Sequence, residues 1–284
     1  MNALCSIFNL RTGGILKLAI CNELFQNWEL ERVITFCAEM GWDGIEIAPF
    51  TLDKWPNKVS SQCRKSWHHF AENHHIHLIG LHWLLAGPSG LSISSPKEEV
   101  RNFTQSYLQD LIDLCADLGG DRMVFGSPNQ RSIGEGQTFD EVWRYALDIF
   151  RSLMSRAESQ GISLCFEPLS HIETNFINTA KEGRKLVKAI DHPNFKLHLD
   201  VKAMSYESQP ITQIIRDAAG AVGHVHVNDK EGHEPGYADL DFKPIIKALK
   251  SIGYDDYISV EAFDFSDGAE KIAARSYEYL SQLI

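Results

Sequence analysis

Phe166-Glu167-Pro168, Leu199-Asp200-Val201, Val225-His226-Val227-Asn228-Asp229 and Val260-Glu261-Ala262 decide the fold of this 284-residue chain. Each ends an apolar, strand-like run on a carboxylate or an imidazole. The four chemical residues lie 33, 26 and 35 positions apart (167 to 200, 200 to 226, 226 to 261), with room for a helix in every gap. That is the cadence of consecutive βα units, because parallel strands need a crossover of about a dozen residues or more. As the last four strands of a barrel, they would bring Glu, Asp, His and Glu to one rim. Three carboxylates and one imidazole at one point are a divalent-metal site before they are anything else.

Outward from these stretches the same alternation covers the chain. Strands are expected at 18–21, 44–48, 76–81, 122–125, 162–166, 195–199, 222–227 and 257–260. Leu30, Val33, Ile34, Cys37 and Ala38 recur at helical spacing, and Gly41 follows as a stop. Further helices are expected at about 59–75, from 94 to the Gly119-Gly120 pair, at 139–159, from a Thr179 cap to 190, and at 210–219, 243–252 and 267–284. Ser94-Ser95-Pro96-Lys97-Glu98-Glu99 has the cap, proline and early acidic residues of a helix start. Eight strands and eight helices predict a single (β/α)8 barrel over residues 16–284, with residues 1–15 as a tail. A doubly wound sheet is disfavoured, since Ala19-Ile20-Cys21-Asn22-Glu23 is no Gly-rich phosphate turn.

Composition narrows the function. Hydrophobic residues at 44% and charged ones at 23% suit a globular fold with ample material for a core, and a net charge of -11 is the wrong sign for a nucleic-acid binder. The six cysteines show no CxxC spacing and read as small core residues in a reducing compartment. No apolar run approaches the ~20 residues that cross a bilayer, and no secretory leader is evident. A soluble, cytoplasmic protein with neither nucleic-acid nor membrane partners is expected.

A lone carboxylate at a strand end is commonly a loop cap. Four ionisable groups on successive strands are different, because burying several unpaired carboxylates together is very costly without a cation or protons. Both His224 and His226 point to the same side of their strand, so alternation does not choose between them.

Glu167 in CFEPLSHIETNFINT, Asp200 in LHLDVKAM, His226 in GHVHVND and Glu261 in ISVEAFD together resemble the sugar-phosphate isomerase/epimerase superfamily, the xylose-isomerase-like TIM barrels. The likeness runs from Lys17 nearly to the end. It implies one divalent ion held by Glu167, Asp200, His226 and Glu261, with Mn²⁺ placed ahead of Mg²⁺ and Co²⁺. The ion would polarise a substrate carbonyl beside which an α proton is removed. By the same resemblance Glu167 and Glu261 are the acid/base pair, and the family's His-apolar-Asn-Asp pattern selects His226 over His224. His224 and His198 then become hydrogen-bonded core histidines one layer deeper.

Glu173 matches a substrate-contacting glutamate of the ketose 3-epimerases, whereas Ala203 and Gly232 stand where those enzymes carry a histidine and an arginine. The metal centre is therefore expected without the usual grip on the sugar. Lys202 is read either as an anion holder or as a salt-bridge partner of Asp229 or Glu207. His82 and Arg131 are candidate substrate contacts, the latter with a surface arginine as its alternative. Trp83 reads as packing under its loop, with an apolar wall of the site as the alternative. His233 lies in the Asp229–Phe242 loop, which resembles a family segment that shields the site, and is a further contact candidate. The cluster His68, His69, His74, His75 and His77 sits mostly on a helix at the opposite end and reads as solvated.

The expected activity is isomerisation or epimerisation of a small ketose, keto-sugar or hydroxy-keto acid. Alternatives are a dehydratase or lyase acting on a keto-inositol or dehydroshikimate-like substrate and, remotely, an endonuclease IV-like phosphodiesterase. A barrel that only binds sugar has no use for four ionisable ligands. The partner is a small carbohydrate or keto-acid, and a homo-oligomer is left open.

Overall fold

A closed barrel of eight parallel strands, in the order β1-β2-β3-β4-β5-β6-β7-β8, forms the centre of the computed structural model, which describes residues 16–284. The expected tail, 1–15, lies outside the described residues. The strands are β1 (Lys17–Cys21), β2 (Gly44–Ile47), β3 (His77–Leu81), β4 (Arg122–Phe125), β5 (Ser163–Phe166), β6 (Phe195–Asp200), β7 (Val222–Val227) and β8 (Tyr257–Val260). Pairing of Lys17 with Tyr257 and of Ile20 with Val260 closes the ring. Around it run α1 (Leu30–Met40), α2 (Ser61–Asn73), α3 (Glu98–Asp117), α4 (Pro128–Arg131), α5 (Phe139–Gln160), α6 (Ala180–Ile190), α7 (Val201–Met204), α8 (Ile211–Asp217), α9 (Lys243–Ser251) and α10 (Ala269–Ser281).

Local chemistry explains the boundaries. Leu30, Val33, Ile34 and Cys37 are the buried face of α1, and Gly41 ends it in the left-handed conformation. Thr138 and Thr179 open α5 and α6 with full capping boxes, paired with Glu141 and Glu182. α3 starts later than its serines suggest. Lys97 precedes it without a side-chain cap, while Ser95 is spent on a local turn to the Lys97 N–H. The short helices α4 and α7 carry too few residues for a periodic signal. Among the described residues, no helix is long and apolar enough to cross a membrane.

Register sets up the open face. Asp200 pairs with His226, and Val227 with Val260, so the ends of β6, β7 and β8 are level. Glu167 and Glu261 each sit one residue past a strand. Even so, their N–H groups still donate to the neighbouring strand, at Phe125 O (3.1 Å) and Val227 O (3.4 Å). Both carboxylates are therefore mounted on the sheet rather than on a loop.

Candidate active site

Glu167, Asp200, His226 and Glu261 present ligand atoms that all lie within 4.8 Å of one another, and all four residues are buried. Asp200 ends β6 and caps α7. Its Oδ1 accepts from the Ala203 N–H at 2.6 Å and its Oδ2 from Asn228 at 2.8 Å. Each oxygen keeps a free lone pair. Burial, then the carboxylates of Glu261 and Asp200, push Glu167 well above the usual carboxylate range. Asp200 is pushed up to about 6 by burial and by Glu261. Burial would raise Glu261 as well, but the His226 and His82 rings hold it well below. The cluster is short of positive charge, and a divalent cation with hard oxygen and imidazole ligands fits it.

A buried relay fixes how His226 faces that cluster. Arg122 can only donate, and its Nη1 lies 3.3 Å from His224 Nδ1. His224 therefore carries its proton on Nε2, which reaches Glu46 Oε2 at 2.8 Å and Ser259 at 3.0 Å. The same Glu46 oxygen lies 3.1 Å from His226 Nε2. Despite burial, Glu46 and Glu261 hold His226 well above its ordinary range, so Nδ1 also donates to Glu261 Oε2 at 3.0 Å; a cation taking the place of that proton would find Nε2–H kept on Glu46 and the Nδ1 lone pair facing it. Fully buried Glu46 thus fixes the His226 ring from behind and would orient it toward an ion held by the cluster. Glu46→Gln is expected to weaken divalent-ion affinity by about 10–100-fold. Titration of the ion alone checks this, and unchanged affinity refutes it.

A cavity of about 450 Å³ opens above the cluster, lined by Glu167, Glu261 and His226 together with His82, Trp83, Glu173, Lys202 and Phe263. His82 bridges Glu23 Oε2 (2.9 Å) and Glu261 Oε1 (3.3 Å), and the Trp83 indole N–H donates to the same Glu261 oxygen at 2.8 Å. Across the cavity Lys202 Nζ pairs with Glu173 Oε1 at 2.6 Å. Such a set of buried carboxylates and one imidazole at the C-terminal rim is where (β/α)8 enzymes do their chemistry.

Residues 34–283 match the family described as the xylose isomerase-like TIM barrel. The chain belongs to this family. It is similar to the D-psicose 3-epimerase of Ruminiclostridium cellulolyticum, 30% identical over 84% of this chain and 80% of that one. It is also similar to the 3-dehydro-D-guloside 4-epimerase of Escherichia coli, 23% identical over 87% and 92% of the two chains. In fold it matches the crystal structure of D-psicose 3-epimerase with D-tagatose from Clostridium cellulolyticum. The TM-score is 0.84 and the identity 24%, covering 94% of this chain and 99% of that one. The xylose isomerase-like chain is accordingly an enzyme of the epimerase and isomerase kind.

Several sequence expectations need correction within this family frame. Arg131 is neither a surface residue nor part of the cavity. It is fully buried, donates to the carbonyls of Gly126 (3.1 Å), Glu167 (2.5 Å) and Ile177 (3.2 Å), and lies over the Phe166 ring. Its role is to clamp the loop after β5 beneath the site. Removing it as Arg131→Ala leaves carbonyls unpaired around a void, so a loss of about 3–5 kcal/mol is expected in denaturant unfolding. A loss under ~1 kcal/mol would refute the clamp. Lys202 pairs with Glu173, not with Asp229 or Glu207; the latter instead accepts from the Ala180 N–H. His233 stacks on Tyr237 and faces Asp229 and Asp264, outside the cavity lining. Trp83 forms a wall of the cavity. His198 is buried as expected, yet neither ring nitrogen has a hydrogen-bond partner among the described residues, and it packs edge-on against His226 at 4.2 Å. Of the distal histidines, His77 is bonded to Gly119 O and Tyr257 rather than solvated.

Proposed function

We propose that this enzyme is a divalent-metal-dependent epimerase or isomerase of a keto-sugar, working by proton abstraction next to the carbonyl. The observation that carries the reading is the placement of Glu167 and Glu261. Both are buried, both are anchored to the sheet, and they enter the same cavity from β5 and β8. Glu167, Asp200, His226 and Glu261 would hold the ion, with Mn²⁺ the first to test. When bound, that ion supplies electrophilic polarisation of the substrate carbonyl, which acidifies the adjacent C–H.

The remaining steps belong to the side chains. One glutamate takes the α proton from its face of the substrate, and the other returns a proton on its own face, which inverts the carbon. Trp83 and His82 grip Glu261 Oε1, so this carboxylate is positioned before substrate arrives. Glu173, held against Lys202, meets substrate hydroxyls in the same cavity. Epimerases and isomerases among the relatives support this chemistry and do not favour the dehydratase or phosphodiesterase alternatives. Buried thiols at Cys21, Cys37, Cys115 and Cys165, all unpaired, suit the reducing cytoplasm. The test is incubation of the metal-loaded enzyme with ketohexoses in deuterated water. Deuterium at the carbon beside the carbonyl, together with the epimeric product, is expected. Loss of water instead, or no exchange with any ketose, rejects the reading.

A further inference from the structure

The mouth of the barrel continues beyond the catalytic cavity. Trp83 and Phe263 line that cavity, and both also line a second cleft of about 750 Å³ between the loops that follow β1, β2 and β8. Six of its thirteen lining residues are aromatic and the rest are mostly polar. Phe50, Trp83 and Phe263 are 38%, 40% and 38% exposed, and they adjoin one another at centroid distances of 6.2 and 6.3 Å. A contiguous exposed patch of this kind marks a binding surface. Trp83 is held on the boundary by its bond to Glu261 and by a left-handed backbone at φ 51, a strained state for a tryptophan. Gly232 makes room for the neighbouring ring: a Cβ there would lie 3.1 Å from Phe263, and the glycine's own φ is +88. A larger residue at 232 would push Phe263 off the boundary between the two spaces.

Polar groups in the cleft say what it takes. Glu23 is 8% exposed; its Oε2 lies 2.9 Å from His82 Nε2 as a charge contact, and neither of its oxygens has a hydrogen-bond partner among the described residues. Gln26 and Glu29 stand at the rim, and neither lysine nor arginine lines the cleft. The cations at its margin are already engaged, Arg32 with the Trp28 ring and Glu270 and Lys202 with Glu173, so the two carboxylates disfavour an anionic ligand such as a phosphate or a carboxylic acid. Flat aromatic faces that stack on C–H surfaces, beside a carboxylate able to accept hydroxyl protons, are complementary to a neutral sugar ring.

We propose that this cleft is a second sugar subsite, so that the preferred substrate is a keto-sugar bearing another neutral glycosyl ring rather than a free ketose. The proposal rests on the reading of the first cavity as the place of epimerisation. The second ring lies against Phe50 and the part of Trp28 that the Arg32 guanidinium, 3.4 Å from the indole, leaves uncovered, while the keto-sugar passes between Trp83 and Phe263 to the carboxylate cluster.

Calorimetric titration of the metal-loaded full chain with fructose and with isomaltulose, the same ketose carrying a glucosyl ring, tests the subsite. Isomaltulose is expected to bind about tenfold tighter or more, the contribution of one stacked ring. Trp28→Ala is expected to bring the ratio of the two affinities toward one. Equal affinities in the unaltered chain, a ratio that Trp28→Ala leaves unchanged, or binding of neither sugar overturns the subsite. So does a concentration-dependent dimer that Phe50→Ser dissolves, because the patch would then be covered by a second copy. Deuterium exchange into the same sugars reports the reaction separately. Exchange with equal affinities removes the subsite alone, and tight isomaltulose binding without exchange removes the epimerase reading alone.

Discussion

In the Glu167→Gln variant, turnover of a ketose falls by a factor on the order of 10³ or more, while the chain stays folded. The amide keeps the shape of the carboxylate but accepts no proton, so the proposed reaction loses one of its two proton-carrying groups. Position matters as much as charge here. The Glu167 Oε2 atom fills the space where a side chain on Gly126 would begin, at 2.2 Å from an ideal Cβ, so the fold leaves out that side chain to admit the carboxylate. Below it, the Glu167 carbonyl is held by Arg131 and its N–H by Phe125 O. Gln in so fixed a place keeps the geometry, and the rate loss then reports chemistry. Circular dichroism and the thermal midpoint check the fold; exchange of the α proton checks the step. A Gln variant within tenfold of the unaltered enzyme would remove Glu167 from its role. Glu261→Gln is expected to behave alike, and its loss is compounded because Trp83 and His82 both bind the oxygen it alters.

Much of this centre was legible before any coordinates, and the reason is the period of the strand. Each of Glu167, Asp200, His226 and Glu261 ends an apolar run, and in a parallel barrel a strand end has one address. The caps of α5 and α6 are equally local, which is why Thr179 could be placed from three residues of context. What escaped depends on contacts across the barrel. Glu46 stands in Gly44-Ile45-Glu46-Ile47, whose alternation reads as an ordinary half-exposed strand; only ring closure brings its carboxylate to two histidines of β7. Arg131 lies among Asn, Gln and Ser in a short helix and reads as a substrate contact or a surface residue, because nothing local reveals that three carbonyls surround it. Lys202 stands on α7, and its partner Glu173 is 29 residues away in the connection between β5 and α6. Trp83 looks like packing because its positive φ, which turns the indole to Glu261, has no signature in a side chain that normally avoids it.

Removing the divalent ion is expected to abolish turnover and to lower the thermal midpoint, by an amount that grows with pH. The activity loss follows from acidity: a carboxylate cannot deprotonate an ordinary C–H beside an unpolarised carbonyl at a useful rate. The stability change follows from the cluster itself. In the metal-free chain Glu167 lies well above its ordinary range and Asp200 at about 6, in both cases through burial and neighbouring carboxylates. A carboxyl raised on folding binds more protons in the native than in the unfolded state. Its contribution is therefore favourable below the unfolded value and is lost as pH rises through the folded one. For Asp200 that window runs from 3.8 to about 6. Binding of the ion needs these groups deprotonated, so its stabilisation works in the opposite direction and increases across the same window. At a concentration 100 times its dissociation constant, one bound ion adds about 2.7 kcal/mol. Midpoints measured with chelator and with added Mn²⁺ should thus lie close together near pH 4 and separate progressively up to pH 7. Asp200→Asn should shrink the separation at pH 7, because one acidic ligand is gone while the Ala203 and Asn228 contacts lose only part of their acceptor. A gap that is independent of pH, or full turnover in the presence of chelator, would show that these carboxylates do not hold the ion.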